Sequence, residues 1–134
     1  MDDQRLKQLL SEAKTIAVVG VSDNPNKTAN QIAEYLLRVG YTVIPVNPML
    51  EKWNGRKVYP SVESIPGRID IVDVFRRNEF LAGVAEDAVR HGDVGLVFNQ
   101  LGLSSTEAEQ IVRDAGLDYI ENRCLYVEHA RLLG

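Results

Sequence analysis

The chain has 134 residues, of which 45% are hydrophobic and 25% are charged, and its formal net charge is −4 at pH 7. This length suits one domain spanning residues 1–134, and the acidic balance argues against nucleic-acid binding, since no basic excess exists to neutralise a phosphate backbone. The single cysteine excludes an internal disulfide, no apolar run approaches the ~20 residues that span a bilayer, and the first residues lack the features of a signal peptide, so we expect a cytoplasmic protein that does not bind membranes.

The first third of the chain predicts a helix, a buried strand and a second helix. Apolar residues recur with helical spacing over residues 6–13, and residues 16–19 form a short apolar run typical of a parallel strand buried on both faces. Gly20 then precedes a turn and a second helical pattern over residues 29–37. A helix that begins behind a glycine loop presents free backbone N–H groups and its positive dipole end, which together bind phosphate. Lys27 would add a full charge there.

The rest of the chain alternates strands with helices. Strands are predicted at residues 41–46, 69–75, 94–98 and 117–120. Helices are predicted to begin near Asn78, near Ser104 or Ser105, and at residue 125. Residues 49–60 are predicted to form a loop, with an edge strand at residues 57–59 as one alternative, and residues 61–65 a single helical turn. This alternation builds an α/β fold, with a mostly parallel sheet of about five strands and helices on both faces.

Ligands of such sheets bind beyond the carboxyl ends of the strands. The polar residues expected at those ends are Asn47, Arg76, Asn99 and Gln100. We therefore expect them to converge on one crevice. Arg76 and Arg77 form a candidate anion clamp, and a solvated pair tied to Glu79 is the alternative.

The glycine loop is neither a dinucleotide fingerprint nor a P-loop. Only Gly20 of the G-x-G-x-x-G pattern is present, and Asn47 stands where an acidic residue would hold a ribose. Lys27 and Thr28 match the end of a P-loop motif, but Asn26 occupies a position that requires glycine. The loop therefore favours neither NAD binding nor nucleotide hydrolysis.

No arrangement of residues indicates catalysis or a metal site. Cys124 and His129 are five residues apart, a spacing that does not place them on one face of a helix. We interpret Cys124 as a packed small residue that is dispensable for ligand binding. The two histidines and one cysteine do not have the spacing of metal ligands. We therefore predict no catalytic residues and no metal.

Five short segments occur in a specific order: residues 16–22 (IAVVGVS), 46–48 (VNP), 70–76 (DIVDVFR), 100–102 (QLG), and 123–124 (RC) with 128–129 (EH). In this order they resemble the small single-domain CoA-binding proteins, whose fold is like that of the N-terminal CoA-binding domain of the succinyl-CoA synthetase alpha subunit. The resemblance covers nearly the whole chain. It implies a Rossmann-like three-layer sandwich that holds coenzyme A across the strand ends.

The same resemblance implies a set of ligand-binding residues. Those against the phosphates would be Gly20, Val21, Ser22 and Lys27; those along the nucleotide would be Asn47, Pro48, Val74, Phe75 and Arg76, with Asn99 and Gln100 in the same crevice. We expect a Gly20→Val substitution to abolish binding and to leave the domain folded, because a side chain would hold the phosphate off the backbone.

The sequence departs from the family pattern in several places. Met49 stands where a basic residue often follows Asn-Pro, so Lys52 or Arg56 would have to contact the 3′-phosphate; Asn122 replaces an aspartate, and Phe98-Asn99 replaces a Trp-containing pair. The synthetase also needs a phosphorylated histidine in a further domain and a partner subunit, so the resemblance does not imply ligase activity.

The sequence therefore predicts a non-catalytic protein that binds CoA or an acyl-CoA. Two alternatives stay open: a small CoA- or nucleotide-dependent transferase using Arg76, Lys27 or Cys124, and a Rossmann-like interaction domain without a ligand. A protein partner or a homo-oligomer is compatible with each.

Overall fold

The computed structural model describes residues 1–134 as a parallel sheet between two layers of helices. The elements in chain order are α1 (Asp3–Glu12), β1 (Thr15–Val19), α2 (Thr28–Arg38), β2 (Thr42–Val46), β3 (Lys52–Trp53), β4 (Arg56–Lys57), β5 (Ile69–Val74), α3 (Leu81–His91), β6 (Val94–Asn99), α4 (Thr106–Asp114), β7 (Asp118–Ile120) and α5 (Leu125–Leu133). A 3-10 turn, Asn78–Phe80, precedes α3. None of these helices has the length and apolar character needed to cross a membrane.

The main sheet has five parallel strands in the order β2-β1-β5-β6-β7. From β1 the chain moves outward to β2 and then returns to the other side of β1, so the strand order reverses between β1 and β5. Val19 is in register with both Val46 and Val74, and these strands therefore end at one level. The predicted Rossmann-like α/β architecture is confirmed, and its ligand crevice is expected at this reversal.

Alternating strand side chains supply two separate hydrophobic layers. Ile16, Val18 and Phe98 pack with α1, α2 and α5 on one face, whereas Ala17 and Val97 pack with α3 and α4 on the other. Both faces of the central strands are covered, which explains why these strands read as continuous apolar runs in the sequence.

Residues 49–60 differ from the loop predicted for them. They contain an antiparallel hairpin of β3 and β4 around Asn54 and Gly55, which have φ angles of +50° and +74°. Asn-Gly is the sequence favoured for such a tight turn because both positions need positive φ. The edge-strand alternative holds only at Tyr59, which forms a single parallel bridge with Val46.

Three shorter segments also refine the sequence interpretation. Residues 61–65 form turns with one Ile65 N–H to Val62 C=O bond instead of a helical turn. Asn78 begins the 3-10 turn instead of capping a helix, and its Oδ1 accepts a bond from the Ser104 N–H. Of the two candidate serines, Ser105 caps α4, through its Oγ and the N–H of Ala108.

Candidate functional site

Gly20 immediately follows β1 and is held between the ends of two neighbouring strands. Its N–H donates to the Val46 carbonyl at 2.9 Å, and its φ is +85°. A Cβ at this position would lie 2.5 Å from the carbonyl oxygen of Phe75. The structure argues against the expectation that Gly20→Val leaves the fold undisturbed, because the added side chain meets the main chain at the end of β5 before it meets any ligand.

The loop after Gly20 is braced from behind by three side chains. The Ser22 carbonyl accepts bonds from Trp53 Nε1 at 3.0 Å and from Asn30 Nδ2 at 2.7 Å, and the Val21 carbonyl accepts from Asn47 Nδ2 at 2.9 Å. In a trans peptide the N–H points opposite to the C=O. Fixing these two carbonyls therefore fixes the N–H groups of the following residues on the other side of the loop.

Five backbone N–H groups around this loop donate to no protein acceptor. They belong to Val21, Ser22 and Asp23 in the loop and to Thr28 and Ala29 at the start of α2. Lys27 precedes the helix, is exposed, and forms no ion pair. Free amides, the positive end of a helix dipole and an ammonium group together favour an anion.

These groups line a cleft of about 460 Å³, which we call the loop cleft. Its walls are formed by Gly20, Val21, Ser22, Asp23, Lys27, Thr28, Ala29, Asn47, Met49, Leu50 and Phe75. Six of these eleven were predicted from the sequence. Asp23 was not, and its exposed carboxylate adds a negative charge beside the free amides.

A second space of about 430 Å³ lies beside the loop cleft, and we call it the arginine cavity. Its walls are formed by Thr28, Phe75, Arg76, Arg77, Gln100, Leu101, Leu103 and Cys124. Thr28 and Phe75 belong to both spaces. The two spaces therefore adjoin, and we call them together the groove, which extends along the strand ends from the residues after β2 to the loop after β7.

The two arginines of the groove differ in their surroundings. The Arg76 guanidinium lies 4.4 Å from the centroid of the Phe80 ring, and that of Arg77 lies 5.4 Å from it. Arg77 also pairs with Glu79 at 3.2 Å, and both side chains of this pair are largely exposed. Arg76 makes no such pair with a carboxylate, so its positive charge is more available to an anionic ligand than that of Arg77.

Gln100 and Cys124 lie on the far wall of the arginine cavity. Gln100 is 5% exposed, and its Oε1 accepts a long bond of 3.4 Å from the Leu125 N–H. Cys124 is half-buried and packs against the core below α5 while it also lines the cavity. The sequence predicted a packed small residue, and Cys124 does pack against the core, but it also reaches the wall of this cavity.

Three residues named from the sequence do not reach the groove walls. Val74 is fully buried in the α3 and α4 layer, and Asn99 is 1% exposed and donates to the Tyr119 hydroxyl at 2.9 Å. Pro48 is exposed beside the cleft without lining it. Lys52 and Arg56, the proposed substitutes for a basic residue at Met49, belong to the β3–β4 hairpin and likewise do not line the cleft.

The groups with clearly shifted pKa values lie outside the groove walls. Burial raises the pKa of Asp73 well above that of an ordinary carboxyl group, because its two oxygens are fully buried without a hydrogen-bond partner. Burial lowers the pKa of His129, whose Nδ1 lies 2.6 Å from the Tyr35 hydroxyl. Nowhere in the chain do three His, Cys, Asp or Glu side chains cluster as metal ligands would.

One further space of about 370 Å³ lies at the opposite edge of the sheet. It is lined by the Arg68–Asp70 ion pair, at 3.3 Å, and the Arg5–Asp118 pair, at 3.2 Å. Four of its five charged side chains already form ion pairs, and it lies at the amino ends of the strands. Parallel sheets rarely bind ligands at that end.

Comparison with known families and curated proteins finds matches that cover most of the chain. The family model described as a CoA binding domain matches residues 14–130. The uncharacterized protein YneT of Bacillus subtilis is 41% identical over 125 residues, which cover 93% of this chain and 92% of that protein. The acetate–CoA ligase (ADP-forming) II subunit alpha of Pyrococcus furiosus is 32% identical over 95 residues, and the match covers 70% of this chain and 21% of that subunit.

Solved structures show the same two kinds of relative. A hypothetical protein from Pyrococcus horikoshii OT3 superposes with a TM-score of 0.96 at 40% identity and covers all of this chain and 94% of that one. The acetyl-coenzyme A synthetase 1 of Candidatus Korarchaeum cryptofilum superposes with a TM-score of 0.73 at 30% identity, over 90% of this chain and 27% of that chain. The fold thus occurs both as a chain of this size and as part of a much longer enzyme.

Proposed function

The chain belongs to the family of CoA binding domains, and from this premise we propose that it binds coenzyme A or an acyl-CoA along the groove without catalysing a reaction on it. The resemblance predicted from the sequence is confirmed at the level of the family. The proposal goes beyond family membership, because it names the ligand, says where the ligand binds, and says that the protein does not react with it.

The observation that carries the proposal is the cluster of free N–H groups in the loop cleft. Loop residues and the first turn of α2 supply donors that no protein acceptor uses, and Lys27 stands beside them. Backbone donors cost no side-chain entropy to position, and the helix dipole adds to their effect. We assign the diphosphate of CoA to this cleft.

The rest of the groove has the chemical character that the other parts of CoA require. Beyond Phe75 the walls become more apolar, with Leu101 and Leu103, and Gln100 contributes one buried amide. The pantetheine arm is a thin chain of methylene and amide groups. We assign this arm to the arginine cavity, with Arg76 free to contact a phosphate oxygen where the two spaces meet.

Two features favour binding without catalysis. His129, the one histidine near Cys124 in sequence, is bonded to Tyr35 and lines a different pocket from Cys124. Glu128 is bonded to Arg131 and forms an ion pair with Arg123. Neither side chain is therefore available as a base for a nucleophile. The chain also spans only 21% of the related ligase subunit, so we do not propose ligase activity.

Isothermal titration calorimetry with CoA, acetyl-CoA and NAD tests this function. We expect CoA and acetyl-CoA to bind with similar affinity, because the acyl group lies beyond the loop cleft that holds the diphosphate. We expect NAD to bind more weakly. The Asn47 amide is neutral and is already oriented by its bonds to the Val21 carbonyl and the Met49 N–H, so it is a weaker acceptor for ribose hydroxyls than a carboxylate. Equal affinity for NAD, or no heat with either CoA compound, would refute the assignment.

A charge variant locates the phosphate. Lys27→Gln should weaken CoA binding by about fivefold at low salt, corresponding to about 1 kcal/mol for one exposed ammonium group, and the difference should shrink as salt is added. Lys7→Gln is the matched control, because Lys7 is also an exposed lysine and lies on α1, away from the cleft. Equal weakening by the two variants would show that only net charge matters.

A further inference from the structure

We propose that Cys124 is a site of covalent modification at which the protein forms a mixed disulfide with the thiol end of CoA. The inference rests on the proposed function, since it needs CoA to lie in the groove, and it adds a reaction that simple binding does not include.

The position of Cys124 is that of an accessible thiol at the end of the groove. It lines the arginine cavity, is half-buried, and directly precedes the first residue of α5. Arg76 and Arg77 line the same cavity. Partial exposure in electropositive surroundings distinguishes reactive cysteines from inert, fully packed ones.

Gln100 gives an independent reason to expect a ligand at this end of the groove. Its side chain is 5% exposed and lines the same cavity, yet its Nε2 donates to no protein acceptor. This nitrogen is not among the fully buried atoms without a partner, so it opens onto the cavity and its N–H groups are free to donate to a ligand there. A carbonyl of the pantetheine arm would accept this bond and would direct the thiol end toward Cys124.

The reaction is a thiol–disulfide exchange in which CoA disulfide is the co-reactant. The thiolate of Cys124 attacks one sulfur of CoA disulfide, and a new S–S bond forms as the old one breaks. One CoA stays attached to Cys124 and the other leaves as the thiolate and takes up a proton. The cysteine is oxidised and the departing CoA is reduced, so no further oxidant is required.

The test is intact mass spectrometry without reductant during incubation with CoA disulfide or with hydroxyethyl disulfide. Because the chain has a single cysteine, every adduct reports on Cys124. We expect one CoA per chain, removed by reductant, at a rate at least about tenfold above that of hydroxyethyl disulfide, because the groove positions the sulfur. Acetyl-CoA, which occupies the groove without a free thiol and covers Cys124 there, should slow both reactions.

Two glutamine variants separate a guided reaction from simple exposure. Gln100→Met keeps the length of the side chain but removes the donor, and should slow the reaction with CoA disulfide by about tenfold. Gln110→Met removes a glutamine on the exposed face of α4 that is bonded to Asp114, and should change neither rate.

Equal rates for the two disulfides without protection by acetyl-CoA, or no CoA adduct, would overturn the proposal. Calorimetry with reduced CoA on the wild type and on Cys124→Ser distinguishes this failure from that of the proposed function. If both proteins bind CoA and no guided adduct forms, the modification alone is refuted. If neither binds CoA, the proposed function and the guided reaction both fail.

Discussion

The backbone around Gly20 permits a quantitative test of how the sheet shapes the site. In Gly20→Ala, the new Cβ would lie 2.5 Å from the Phe75 carbonyl oxygen and 3.1 Å from its carbonyl carbon. The residue would also have to keep a φ of +85°. The positive φ costs about 1–2 kcal/mol for an L residue, and displacing a packed neighbour costs about 1–3 kcal/mol. We expect the free energy of unfolding to fall by about 2–5 kcal/mol, a large part of a typical domain's stability.

Gly92 provides the matched control. It has the same φ of +85°, but a Cβ built there has no heavy atom within 4 Å. Gly92→Ala therefore carries the cost of φ without the contact, and both variants share the same change in the unfolded chain. The difference between the two variants isolates the contact with Phe75, and we expect it to be about 1–3 kcal/mol.

Urea unfolding monitored by circular dichroism measures both variants under identical conditions. The slope of free energy against urea should stay unchanged, so that the midpoints report stability directly. If Gly20→Ala is no less stable than Gly92→Ala, the main chain at the end of β5 can move to accommodate a methyl group without a loss of stability. The view that this main chain sets the shape of the loop cleft would then be wrong.

Two further predictions concern buried groups near the groove. Native Asp73 keeps its proton above the ordinary carboxyl pKa of 3.8, whereas the unfolded chain releases it; relative to Asp73→Asn, the wild type should therefore lose about 1.4 kcal/mol of unfolding free energy per pH unit as pH rises toward the native pKa. A difference that does not vary with pH, in urea titrations between pH 4 and pH 8, would contradict this. Trp53→Phe removes the bond to the Ser22 carbonyl and should cost about 1 kcal/mol of stability and weaken CoA binding in calorimetry; unchanged CoA affinity would show that the brace is not needed.

The layered fold could be predicted because its signals are local. Short apolar runs separated by helical patterns produced the five main strands and five helices with errors of only a few residues. The glycine at position 92 ends its helix in the left-handed conformation, as expected of a residue without a Cβ. The Asn54-Gly55 hairpin was also encoded locally, and it was missed because its strands are only two residues each.

The bracing of the loop could not be predicted, because it depends on pairs far apart in sequence. Trp53 and Ser22 are 31 residues apart, and Asn47 and Val21 are 26 apart. Nothing in the sequence identified the carbonyl to which the Trp53 Nε1 donates. The polar character of Asn47 was recognised, but its use in holding the loop became visible only in the structure.

Asn99 shows an error that alternation could have prevented. It is the last residue of β6, and its side chain lies on the same face as Val97, toward α3 and α4. The face opposite to Val97 is that of Phe98, where α5 packs. Gln100 follows the strand and reaches the groove beside the start of α5. Two adjacent amides at one strand end thus have different roles, because successive strand side chains point to opposite faces.

The position of Cys124 follows from the order of the strands, which the sequence does not reveal. Because β7 is the outer neighbour of β6, the loop after β7 comes to lie beside Gln100 and Leu101. Because the strand order reverses between β1 and β5, the end of β5 lies beside the end of β1. Phe75 is therefore next to both Gly20 and the arginine cavity. The space beside the amides of α2 and the space beside the thiol therefore meet at Phe75, just after the end of β5, and at Thr28, which line both of them.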